Sequence, residues 1–90
     1  MIPKIELAVP FVHVNGDRRE TLLNNLEAAY AAVNAAMDAM RQCAPNGRNA
    51  YPVDGLMQRL EAQHRSRQEY LQVVADSLEA EAIAIQEQDR

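Results

Sequence analysis

Apolar residues fall into two kinds of pattern along the chain. From Ile2 to Val14, Ile5, Leu7, Val9 and Phe11 alternate with Lys4, Glu6 and Ala8, the two-residue period of a half-buried strand. Pro3 and Pro10 would confine such a strand to an edge. A lone strand cannot satisfy its own backbone groups, so residues 1–16 are expected either as an extended arm or as a short edge strand paired with a symmetry mate. Asn15-Gly16 then signals a turn, and Asp17 and Glu20 stand at capping-box spacing. The pattern changes there to a three–four spacing.

A first helix is predicted over 17–44. Leu22, Leu26, Ala29, Tyr30, Val33, Met37, Met40 and Ala44 form its stripe, ended by Pro45 and by Asn46-Gly47. Ala28, Ala32, Ala35 and Ala39 make a second stripe, and together the two span roughly 200° of the helix at 100° per residue. Alanine's helix propensity explains part of this; the rest points to close helix approach on a second side. Residues 45–53 read as a linker in which Gly47 is free to take a positive φ and Tyr51-Pro52 restricts the chain. A second helix over 54–88 would be ~50 Å long. The fold class expected is all-α: an antiparallel hairpin of two long helices with the N-terminal arm laid over Leu78, Ala82 and Ile85, assembling into an oligomeric bundle.

Ninety residues with one cysteine make a single small domain with no internal disulfide. A chain of this size buries only ~60–65% of its unfolded surface, a further reason to expect a homo-oligomer, a dimer or higher. The net charge of -4 and 4% aromatic content disfavour nucleic acid as a partner. No apolar run approaches the length of a membrane span, and Lys4, Glu6, Pro10 and His13 break up any signal peptide, so a cytoplasmic location is expected. His13 and His64 have no cysteine or carboxylate at metal-site spacing, and Ser66 and Ser77 lie on another face from His64. Neither metal, cofactor nor catalytic activity is expected. Cys43 reads as a small buried hydrophobe.

The most informative local feature interrupts the second helix. Its stripe of Leu56, Leu60, Leu71, Val74, Leu78, Ala82 and Ile85 carries Gln63, His64 and Arg67 on the same face, with Tyr70 at the edge. An arginine in an apolar seam is paired with a carboxylate, snorkels to water, or meets a ligand. An antiparallel register about the linker sets these residues level with Tyr30, Val33 and Asn34. Tyr30, Asn34, His64, Arg67 and Tyr70 would then share one polar pocket. Both connectors add candidates for an anion: His13, Asn15, Arg18 and Arg19 in the first, Arg48 and Tyr51 in the second. These can equally be ordinary turns with solvated charges. The two connectors lie at opposite ends of a hairpin and would meet only between subunits.

The run His13, Asn15, Gly16, Glu20 with Leu22 and Leu23 behind it, followed by Arg48, Asn49 and Tyr51, resembles small proteins of bacteriophages and prophages that carry an H-L-N-G-T-S-like start and an R-D-Y-Y-like linker. The chain departs from that pattern at Asp17-Arg18 and at Asn49-Ala50. Small phage proteins of this size include oligomeric sponges for nucleotide immune signals and inhibitors of host defence proteins. The resemblance implies a non-enzymatic counter-defence factor in the bacterial cytoplasm. Its partner would be a small anionic, nucleotide-like ligand, held by arginines and stacked on tyrosines. Alternatively, it is a structural or protein-binding hairpin directed at a host defence protein or a phage assembly.

Overall fold

The computed structural model describes residues 4–88, and these are all-helical apart from the arm and turns. Pro3, which bears on the edge-strand reading, and the tail charges Asp89 and Arg90 lie outside the described residues. Helix α1 spans Arg19–Met40 and ends in a 3-10 turn, Arg41–Cys43; α2 is one short turn, Gly47–Ala50; α3 spans Leu56–Gln86. Among the described residues there is no strand. The arm is extended, and within its own chain it is held by a side chain from the far end of the sequence.

α1 and α3 lie side by side and run in opposite directions. Arg19 at the start of α1 donates from Nη2 to the backbone carbonyl of Gln88, just past α3, at 2.7 Å. A guanidinium there satisfies an orphan carbonyl and opposes the negative end of the helix dipole. Further along, Leu26 and Tyr30 sit with Leu78 and Ala82, and Asn34 and Met37 with Gln68 and Gln72. Besides Leu22, Ala29 and Asn34, the intermediate positions of α1 are Arg19, Leu23, Leu26, Tyr30, Val33, Met37 and Met40. They alternate by four and three, a heptad-like seam. On α3 the matching positions are His64, Gln68, Leu71, Ala75, Leu78, Ala82 and Ile85. Ala75 and Ile85 are fully buried.

Three local expectations are corrected. The helix starts after Arg18, whose side chain makes no cap, so Asp17 and Glu20 are one position out of phase for a capping box. Asn46-Gly47 does not simply stop a helix: the Asn46 Oδ1 accepts from the Arg48 N–H at 2.9 Å and starts α2. The positive φ falls on Gly55 (77°), directly before α3, and not on Gly47. The linker therefore spends two short helical turns doubling back along the first turns of α3, burying Ala50. This moves the turning point of the chain from near residue 49 to near residue 53. As a result α3 overhangs α1 at the linker end, where the 3-10 turn and α2 cover it. Leu78, Ala82 and Ile85 lie opposite α1 and not under the arm alone.

The arm is stapled by Gln88. Its Nε2 donates to the carbonyl of Pro10 at 2.9 Å, and its Oε1 accepts from the Val12 N–H at 2.7 Å. One side-chain amide thus fills the two places that a neighbouring strand would fill on either side of Phe11. Two net hydrogen bonds are worth about 1–3 kcal/mol locally. Gln88→Ala should raise hydrogen exchange at the Val12 amide roughly tenfold. Melting temperature should change by only a few degrees, because the Gln88 carbonyl still receives Arg19. Unchanged exchange at Val12 would show that something else holds the arm.

Candidate functional site

The eleven sequence-predicted residues separate into groups along a molecule 62 Å long. His13, Arg18 and Arg19 line a cavity of about 710 Å³ between the arm and α1, together with Glu20, Leu23 and Asn24. His13 is fixed by its own turn: its Nδ1 accepts from the Asn15 N–H at 3.2 Å, and its ring stacks on Phe11 with centroids 5.6 Å apart. A Cβ at residue 16 would come within 3.1 Å of His13 Nε2, so a larger residue there would require the exposed imidazole to shift by a few tenths of an ångström. Asn15 is exposed in that turn. Arg19 is half-buried, and its Nε has no partner although Nη2 is bonded.

His64 and Arg67 line a second cavity, of about 360 Å³, at the linker end. Asn46 and Asn49 come from the linker, Gln63 from α3, and Cys43, Leu56 and Leu60 complete the wall. The Nδ1 of His64 is buried and has no hydrogen-bond partner. A buried polar atom without a partner is costly unless something absent from the free chain satisfies it. Arg48 and Tyr51 are exposed on the same linker. Cys43 is exposed, not a buried hydrophobe, and lies in the 3-10 turn that follows α1.

The shared pocket of Tyr30, Asn34, His64, Arg67 and Tyr70 does not form. Tyr30 packs with Leu78 and Ala82, and His64 lies 14 residues before Leu78, ~21 Å along the axis at 1.5 Å per residue. Asn34 belongs to a separate polar groove with Asp38, Arg41 and Gln72. Arg67 is exposed, since the seam passes through Gln68 and Ala75 and not through Arg67 and Val74. Among the described residues the one ion pair is Arg41 with Asp38 at 3.2 Å, on the surface, so Arg67 has no carboxylate partner there. Tyr70 is exposed on α3.

Asn46 and Asn49 join the cavity without being legible as candidates in the sequence, and Gln63 joins it from the face it shares with His64. Asparagine beside glycine signals a turn, and that signal hides a second use of the side chain. Among the described residues no three His, Cys, Asp or Glu side chains converge to hold a metal ion, and no helix is long and apolar enough to cross a membrane. Compared with known proteins, the chain matches no family model, no curated protein and no solved structure.

Proposed function

We propose that this chain is a non-enzymatic binding protein, a helical hairpin working as a homo-oligomer, that sequesters a small anionic, nucleotide-like ligand at its linker end. The observation that carries this reading is the buried, unpartnered Nδ1 of His64, a residue that lines one cavity with Arg67. The cavity volume is within the ordinary range for small-molecule sites. Arg67 supplies a planar donor for a phosphate, and Arg48 stands on the adjoining linker. Asn46, Asn49 and Gln63 offer donors and acceptors to the polar edges of a base, and the exposed ring of Tyr51 offers a stacking face. Nothing in this mechanism is cleaved. The likeness of its motifs to phage proteins makes a counter-defence sponge the biological setting of this proposal.

Isothermal titration with cyclic mononucleotides, cyclic dinucleotides and nucleoside monophosphates tests it. The native chain should bind one of these classes at micromolar concentration. Arg67→Ala should weaken that binding at least tenfold, the loss expected for one charge-assisted hydrogen bond to a phosphate. Helicity and assembly should be unchanged. Absence of binding by the native chain to all three classes overturns the proposal.

A second reading is a structural or protein-binding hairpin without a small ligand. It is favoured by the arm, where Ile5, Leu7, Val9 and Phe11 are 39–76% exposed. On that reading Arg67→Ala weakens assembly or partner capture and leaves no nucleotide binding to lose.

A further inference from the structure

The chain leaves more surface in water than its mass requires. Its accessible surface is 7033 Å², against ~5,300 Å² for a compact monomer of its size. Its radius of gyration is 18.3 Å, against ~12 Å for a compact domain of this length. Among the described residues only Ala50, Ala75 and Ile85 are buried. The difference of roughly 1,700 Å² is about twice what one partner contributes to a standard interface, ~800 Å².

The surface is also uncharged where solvent should demand charge. The face of α1 opposite the seam runs through Thr21, Asn24, Ala28, Ala32, Ala35 and Ala39, all exposed. A helix that faces water normally puts charged residues there. Glu20, Glu27 and Asp38 stand toward the edges of this face and leave its centre to alanine. Side chains this small allow a second helix to approach at the short end of the 8–10 Å range.

Charge then selects the occupant and its direction. The half of the rod that holds the linker sets Arg41, Arg48, Arg59, Arg65 and Arg67 against Asp38, Asp54, Glu61 and Glu69, which leaves it close to neutral. The other half is strongly acidic, with Glu20, Glu27, Asp76, Glu79, Glu81 and Glu87 among its residues and, among the described residues, Lys4, Arg18 and Arg19 opposing them. A second copy lying parallel would set acid beside acid. An antiparallel copy sets each acidic half beside an arginine-bearing half, and a two-fold axis makes both contacts identical. We infer that the alanine face of α1 is the contact for a second copy of this chain, antiparallel, with the two-fold axis between Ala32 and Ala35. This inference stands apart from the ligand reading, because it needs no occupant in either cavity.

Sedimentation velocity and native mass spectrometry from 1 to 100 µM at low salt test it. The native chain should form a species of about twice its 10.1 kDa mass, its melting temperature should rise with concentration, and added salt should weaken it. Ala35→Lys keeps a good helix former at the site but brings two ammonium groups to the axis, and should shift the dissociation constant at least tenfold toward monomer. If that variant fails to fold, the concentration dependence of the native chain still decides. Orientation is read by cross-linking in a Cys43→Ser background: Ala28→Cys and Ala39→Cys chains should cross-link when mixed, and neither alone. A native monomer at 100 µM overturns the inference, as does undiminished association in Ala35→Lys. Cross-linking of Ala28→Cys with itself overturns the antiparallel arrangement.

Discussion

Ile85→Ala should lower stability by about 2–4 kcal/mol, the range for emptying a fully buried aliphatic site whose surroundings relax only in part. For a chain of this length that corresponds to a fall in melting temperature of about 10–30 °C, read at one protein concentration. Ile85 is the only large side chain among the described residues with no exposure at all. It sits where the end of α3, the start of α1 and the stapled arm come together. Ile83, two residues away and 48% exposed, is its control. Ile83→Ala should lower stability by less than about 1 kcal/mol. Equal losses at the two positions would mean that the end of α3 is rotated from the orientation described.

Ala75→Leu should be the second large effect, in the opposite sense of volume. Ala75 is fully enclosed at the level where α3 passes Tyr30 and Asn34 of α1. Extra carbons there must separate the helices or leave their rotamer wells, at about 1–3 kcal/mol. Val74, 37% exposed, tolerates the same enlargement. Urea denaturation of Ala75→Leu and Val74→Leu therefore distinguishes two phases of the same helix. If Val74→Leu were the more damaging, the seam would run through Arg67 after all.

That pair of residues shows why part of the fold was legible in the sequence and part was not. Two long helices, their approximate limits and the all-α class follow from spacing, because a three–four repeat over more than 20 residues has few other solutions. The phase inside α3 does not follow so directly. Counting hydrophobicity selects Val74 over Ala75, whereas close approach between helices selects the smaller side chain. The slip of one residue carries Arg67 into the apparent seam and so builds a pocket that does not exist. The register failed for a separate reason. Asn46-Gly47 has the composition of a tight turn, but the Asn46 side chain caps a helical turn and the chain reverses several residues later. A shift of the turning point by four residues displaces the helices by about eight, and this parts Tyr30 from His64.

The candidate site was legible to a comparable degree. His64 and Arg67 do share a cavity, and His13, Arg18 and Arg19 share another, because near neighbours in sequence stay together whatever the register. Partners that depended on the register were lost. Gln88 carried no signal: a glutamine in a polar tail looks like solvent-facing sequence until the backbone of Pro10 and Val12 is placed beside it.

The staple by Gln88 sets an order of events during synthesis. Val12 and Pro10 are made 76 and 78 residues before the amide that receives them. At ~5–20 residues per second the arm waits roughly 4–15 s, and longer while Gln88 is still inside the ribosome. Through that interval the Pro10 carbonyl and the Val12 N–H have nothing of their own chain to receive them. The part of the protein that emerges early is among the last to settle.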